Sequence, residues 1–221
     1  MPRVVAVIGQ AIAAYQPALV VIACNTASTI ALPALRAQFS VPFVGTVPAI
    51  KPACAASVSR RVTVLGTEAT VGREYTKALI REFSQGCDVT LVGAAQLASL
   101  AERELRGEPV SDAEIAGEIG PCFVETDGRR TDTVVLACTH YPLLLSQMKR
   151  LAPWPVDWID PAPAIARRVA DLLGPRSGTV EPQPSLALFT ASQEPSATLV
   201  QALSGLGLNQ CGKFDTPAQS A

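Results

Sequence analysis

Short apolar runs rich in β-branched residues recur along this chain. Each is followed by a segment whose apolar residues fall at helical spacing, and this alternation constrains the fold more than any other feature. Leu19–Ala23, Pro42–Thr46, Arg61–Gly66, Asp88–Gly93, Thr133–Ala137, Pro155–Ile159 and Leu186–Thr190 read as strands. Most are continuous rather than alternating, the mark of strands covered on both faces, as in parallel sheets. Helices are predicted over Thr29–Gln38, Pro48–Ser57, Thr70–Phe83, Ala95–Arg106, Asp112–Val124, Pro142–Leu151, Pro163–Leu173 and Pro195–Leu203. Ser111 with Glu114 forms a capping box. Gly107 and Gly174 sit where helix-ending glycines belong, and Ser192 before Glu194 and Pro195 suits a helix start. The pattern predicts an α/β architecture with crossover helices. Gly174–Ser185 reads as a loop and the last dozen residues as a frayed tail.

The composition narrows the function classes. With 48% hydrophobic and 17% charged residues in 221, the chain is too apolar for disorder. A net charge of −1 with no basic block, and 5% aromatics, give nucleic acid nothing to bind. No apolar run is long enough to cross a bilayer. Val4, Val7, Ile8, Ala11, Ile12 and Tyr15 fall at helical spacing with Gln10 opposite, so this stretch reads as an amphipathic surface helix rather than a signal peptide. The six cysteines (Cys24, Cys54, Cys87, Cys122, Cys138 and Cys211) are dispersed, with no C-x-x-C pair. Four of them read as buried, reduced thiols of a cytoplasmic protein. One His in the chain makes a Cys/His zinc site a poor fit.

Two segments echo each other. Residues 20–26 read VVIACNT and residues 134–140 read VVLACTH. Each is a buried strand, then Ala-Cys, then small polar groups, then a helix. Ligands of open α/β sheets sit beyond the carboxyl ends of strands, where both cysteines fall. A thiol at a strand-to-helix turn meets free amides and the positive helix end, which favour thiolate. From an ordinary pKa of about 8.5, a modest lowering would make proton exchange practical near neutrality. One such thiol alone is more often packing. Two on facing halves suggest that one takes a proton from one face of a carbon while the other delivers a proton to the opposite face. Asn25, Thr26 and Ser28 follow the first thiol, and Thr139, His140 and Tyr141 the second, giving polar rims suited to an anion. His140 is either a satisfied structural group or a group that steers protons or binds a carboxylate. Thr67 and Thr70, in the turn Gly66–Thr70, read as helix caps more readily than as carboxylate ligands.

At these residues the chain resembles the glutamate racemase family. ACNTAS at 23–28 and ACTHYPLL at 137–144 match its two cysteine signatures, VLGTEATV at 64–71 resembles the segment between them, and FTASQEP at 189–195 is a weaker likeness. The resemblance runs from about Val4 to Leu208. It implies two pseudo-symmetric three-layer α/β domains with mostly parallel sheets and a site in the cleft between them. The first domain would comprise residues 1–46 plus 161–221 and the second 47–160. It also implies cofactor-independent, metal-free interconversion of L- and D-glutamate in the cytoplasm, supplying D-glutamate for peptidoglycan and so cell shape. Cys24 and Cys138 would be the two bases. His140 would assist them, and Asn25, Thr26, Thr67, Thr70, Thr139 and His140 would contact the substrate. Glu102, in a segment of looser likeness, would stand for a cleft glutamate that orients the His. Glutamate would be the partner, with no nucleic acid or membrane and with a homodimer as the assembly. The family's Asp-Ser-Gly turn and Gly-Asp-Thr…Pro-Tyr-Gly segment are absent, so the expectation is an N-terminally shortened member with an incomplete first domain. A related aspartate or hydantoin racemase, and a non-catalytic remnant, are the alternatives.

Overall fold

The computed structural model describes residues 2–175, 184–191 and 193–215. Its elements are α1 (Pro2–Tyr15), β1 (Val20–Ile22), α2 (Asn25–Gln38), β2 (Phe43–Gly45), α3 (Ile50–Ala56), β3 (Arg61–Gly66), α4 (Glu68–Val71), α5 (Glu74–Phe83), β4 (Asp88–Gly93), α6 (Leu97–Leu105), α7 (Asp112–Ile119), β5 (Glu125–Thr126), β6 (Arg129–Arg130), β7 (Thr133–Leu136), α8 (Leu145–Leu151), β8 (Asp157–Ile159), α9 (Ala162–Leu173), β9 (Leu186–Phe189), α10 (Ala197–Gly205) and β10 (Gln210–Lys213).

The largest sheet has the order β4-β3-β7-β8, all parallel. Its two central strands are buried on both faces, which is why they read as unbroken apolar runs. The period of two then sorts their side chains between layers. Leu65, Val134 and Leu136 face Leu97, Leu100, Ile115, Ile119, Leu144 and Met148, so α6, α7 and α8 cover that side. Val62, Val64, Val135 and Ala137 face Ile50, Ala53 and Cys54, with Leu79, Ile80 and Phe83 beside them, so α3 and α5 cover the other. The result is a three-layer α/β sandwich within residues 47–160.

A separate parallel pair, β1 with β2, packs under α1 and α2. Ile22, Ala31, Leu32, Leu35 and Phe43 form its core, and Val4, Val5, Ile8 and Ile12 of α1 close over it. This is the amphipathic face predicted for that helix. Gly45 lets α2 approach β2 closely: a Cβ there would overlap Leu32 and crowd Ser28. The parallel pair β9–β10 is a third sheet. Among the described residues no helix is long and apolar enough to cross a membrane.

The structure departs from the sequence reading at several ends. The predicted helix Thr70–Phe83 is two helices, because the chain turns out at Gly72 and Arg73, whose φ of −74° and ψ of 140° are extended. The predicted helix Asp112–Val124 stops at Ile119 and continues as a 3₁₀ turn over Gly120–Cys122, with Pro121 removing a helical donor. Pro142–Leu151 likewise opens with a 3₁₀ turn, Tyr141–Leu144, before α8. The predicted helix Thr29–Gln38 begins a turn earlier, at Asn25, because Cys24 serves as its cap. The tail is not frayed at its start, since Gln210–Lys213 is the strand β10. Ser192 and residues 176–183 lie outside the described residues, and Ser196 caps α10. A hairpin, β5–β6, was not foreseen. Its turn is Asp127-Gly128, with φ of 55° and 70°, the pair of left-handed conformations a two-residue hairpin requires. The Ser111–Glu114 capping box and the left-handed glycines at 107 and 174 are present as read.

Asp132 pins the turn before β3 to the start of β7. Its carboxylate accepts from Ser57 Oγ at 2.6 Å, from the Val58 and Ser59 amides at 2.7 Å each, and from Thr133 Oγ1 at 3.0 Å. Partial burial pushes its pKa up, but these donors outweigh burial and hold it below the usual carboxylate range. A depressed folded pKa stabilises the protein above the unfolded value of about 3.9. That contribution is lost as pH falls through the folded value. Asp132→Ala is therefore expected to cost about 1 kcal/mol near neutral pH. The difference from wild type should shrink only below about pH 4, as read from urea melts at several pH values. A difference independent of pH down to acid would contradict it.

Candidate active site

Both signature thiols stand at carboxyl ends of parallel strands. Cys24 follows β1 and is the N-cap of α2, with extended φ and ψ of −149° and 122°, and its Sγ accepts from the Ala27 amide at 3.5 Å. The side chain is exposed. Cys138 follows β7 by one residue and is partly buried. Its Sγ lies 3.8 Å from His140 Nδ1. Burial pushes the Cys138 thiol up. The His140 and Tyr141 amides pull it down and the neighbouring Cys24 pushes it up again, for a net rise. This corrects the sequence expectation of a lowered pKa for that thiol. The free amides are there, but desolvation outweighs them.

A cleft of about 210 Å³ joins the two strand ends. Cys24, Asn25, Thr26, Thr67, Thr70, Cys138, Thr139 and His140 all line it, whereas Ser28, Tyr141 and Glu102, also named from the sequence, do not. Larger hollows elsewhere on the surface hold none of them. Thr67 caps α4, its Oγ1 accepting from the Thr70 amide at 3.2 Å. Thr70 Oγ1 sits 3.0 Å from both Thr67 Oγ1 and Thr26 Oγ1. Thr139 Oγ1 donates to the Ala23 carbonyl at 3.0 Å. These contacts tie the β1–α2 segment to the four-stranded sheet across the cleft.

Asn25 is 3% exposed, yet neither its amide nitrogen nor its side-chain oxygen has a protein partner. Such a group is costly unless something else satisfies it, and here it borders the cleft. His140 Nε2 lies 2.9 Å from Glu102 Oε1, and Glu102 Oε2 accepts from Arg106 at 3.1 Å. Held this way, the neutral imidazole carries its proton on Nε2 and turns a bare Nδ1 toward Cys138. Two further residues had not been singled out. Ala98 supplies an apolar patch of cleft wall from the first turn of α6. Arg106 holds Glu102, and its i,i+4 spacing from that residue was the readable signal.

Two thiols on facing strand ends, with hydroxyls and an amide between them, suit acid–base chemistry on a small polar anion. The sequence profile of the Asp/Glu/hydantoin racemase family matches residues 2–169, and the chain belongs to that family. Among curated relatives, the glutamate racemase of Brucella canis is 53% identical over 209 residues, covering 93% of this chain and 75% of that protein. Among solved structures, Escherichia coli glutamate racemase in complex with L-glutamate and the activator UDP-MurNAc-Ala superposes with a TM-score of 0.88 at 37% identity, covering 98% of this chain and 81% of that one. Glutamate racemase from Thermus thermophilus, in complex with β-chloro-D-alanine, gives 0.63 at 26% identity, covering 99% and 81%.

Proposed function

We propose that this chain is an isomerase that interconverts L- and D-glutamate by two-thiol 1,1-proton transfer, supplying D-glutamate for peptidoglycan. The observation that carries this is the single cleft that brings Cys24 and Cys138 together from two separate sheets, with hydroxyls between them. The 53% identity to glutamate racemases favours glutamate over aspartate or a hydantoin.

In this reading one thiol is ionised and the other protonated before each turnover. The thiolate removes the α-proton from one face, and the opposite thiol delivers its proton to the other. Each turnover leaves the pair with its protonation exchanged, ready for the reverse enantiomer. The mutual repulsion that raises Cys138 in the presence of Cys24 acts in favour of this singly ionised pair, because the second proton is harder to remove than the first. His140, oriented by Glu102, supports the Cys138 side. Thr67, Thr70, Thr26, Thr139 and Asn25 hold the substrate's charged ends. The unpaired Asn25 amide gains the partner it lacks.

The domain division that fits this mechanism is 1–46 plus 161–221 against 47–160, supported by the absence of ladder hydrogen bonds between their sheets among the described residues. A cytoplasmic location and a homodimer complete the reading.

The test is incubation of the purified protein with L- or D-glutamate in D₂O, following deuterium at the α-carbon and the optical signal together. Both enantiomers should exchange and converge on the racemate, with aspartate much slower. Exchange absent for both, or aspartate handled as well as glutamate, would overturn the assignment.

A further inference from the structure

Away from the cleft, two thiols that the racemase chemistry leaves unused lie against each other. Cys54 is in the last turn of α3, and Cys87 immediately precedes β4. Cys87 Sγ donates to the Cys54 carbonyl at 3.4 Å, which sets that thiol against the backbone of Cys54. Both belong to the layer between the sheet and α3 and α5. Cys54 is fully buried and Cys87 is 8% exposed, so the pair has an inner and an outer member.

A tight turn leads into the outer cysteine. The Cys87 amide donates to the Ser84 carbonyl at 2.8 Å, and Gln85 and Gly86 both have left-handed φ, 51° and 80°. Gln85 is a side-chain-bearing residue in a region that costs free energy, so a strained turn immediately precedes Cys87. A guanidinium nitrogen of Arg60 donates to the Gln85 carbonyl at 2.8 Å. Desolvation and then Cys87 push the Cys54 thiol up to about 12, while the Arg60 charge opposes them. The Arg60 charge favours thiolate at Cys54 against the burial that opposes it, and Cys87, at the rim, is the more accessible partner for thiol–disulfide exchange.

We propose that Cys54 and Cys87 form an oxidisable dithiol that closes to an intramolecular disulfide in reaction with a low-molecular-weight disulfide. Cys87 is the entry point because only it touches solvent. Its thiolate attacks one sulfur of the reagent, forming a mixed disulfide and releasing the other half as a thiol. Cys54, whose carbonyl lies beside the Cys87 sulfur, then attacks that sulfur as its thiolate and expels the second half. The two protein thiols lose two electrons and two protons, and the reagent leaves as two thiols. The bond would tie the end of α3 to the start of β4 around a loop holding β3, α4 and α5. The remaining cysteines give no comparable pair outside the cleft. Cys122 lies in the opposite core layer, where the other cysteine is the cleft thiol Cys138, and Cys211 lies in the β9–β10 pair.

Cys24 and Cys138 also sense each other, so the experiment removes them. The full chain carrying Cys24→Ser and Cys138→Ser is incubated with glutathione disulfide under native conditions. Free thiols are then alkylated after unfolding, and tryptic fragments are read by mass spectrometry. The expected result is one linked fragment pair carrying Cys54 and Cys87, a higher Tm, and reversal of both by dithiothreitol. Cys54→Ala in the same background, an apolar replacement of smaller volume, should instead stop at a glutathione adduct on Cys87. Circular dichroism checks that each variant is folded. Cys54 recovered fully alkylated while Cys87 carries glutathione would overturn the proposal. So would a folded protein whose two thiols both stay free while the unfolded chain reacts. Neither result depends on racemase activity, so failure here leaves the assignment of the cleft untouched.

Discussion

Cys24→Ser and Cys138→Ser are each expected to lower glutamate racemisation by about 10²–10⁴-fold, the range that loss of a positioned acid or base produces. Serine keeps the shape and a hydrogen-bonding group but cannot ionise near neutral pH, so it can neither remove the α-proton nor be left as the conjugate base. The two substitutions are also structurally mild. At position 24 serine is itself a favoured N-cap, so α2 should start where it does now, with the hydroxyl taking over the contact to the Ala27 amide. At position 138 the side chain is partly buried, and the substitution only replaces sulfur with the smaller oxygen. A loss of activity with unaltered thermal unfolding therefore reports on proton transfer. The measurement is the optical signal of glutamate from both starting enantiomers, at enzyme concentrations high enough to detect a 10⁴-fold deficit. Full activity in either variant would remove that thiol from the mechanism.

The largest effect on stability is expected from Leu136→Ala, at about 2–5 kcal/mol. Leu136 lies on β7, flanked by β3 and β8, and is fully buried against the α6, α7 and α8 layer. Truncation there leaves a void bounded by two rigid strands and by Leu97, Ile119 and Leu144, so little can collapse into it. Urea unfolding followed by circular dichroism would give the loss. A shift under about 1 kcal/mol would mean that the layer repacks freely. The residue is also only two positions before Cys138. Activity per folded molecule should stay within a few fold of wild type, because Ala137 and the Thr139–Ala23 contact still place the thiol. Chemistry and packing are thus separable within one strand.

How far the sequence could be read depended on burial. β3 and β4 were located to the residue, because their length is set by apolar runs bounded by polar turns at both ends. The hairpin of Glu125–Arg130 escaped because its side chains are charged or polar and exposed, leaving only the Asp-Gly turn as a signal. β10 escaped for a similar reason: Gln-Cys-Gly-Lys has no apolar alternation, and its pairing with β9 is set by tertiary structure. The single helix read over Thr70–Phe83 failed at Arg73, whose extended backbone breaks a run that the apolar periodicity bridges. In the cleft, the strand–Cys–helix echo marked both thiols and their polar neighbours. Glu102 was reached only through the family resemblance: it sits 38 residues from His140, on α6, and folding brings the two within hydrogen-bonding distance. The net rise in the Cys138 pKa was equally hidden. The sequence displays the helix-start amides, while the burial that outweighs them comes from packing.

The threonine contacts across the cleft bear on how a ligand would enter. Thr26, Thr70 and Thr67 form a chain of hydroxyls, and Thr139 reaches the Ala23 carbonyl from the opposite wall. An arriving carboxylate would take over threonine hydroxyls that are already hydrogen-bonded, so at these groups the protein exchanges polar contacts rather than creating them. Such an exchange yields little net free energy, which makes for loose, readily reversible capture of the substrate. A catalyst that must release either mirror image is served by this, since neither hand is held so firmly that its departure limits the other direction.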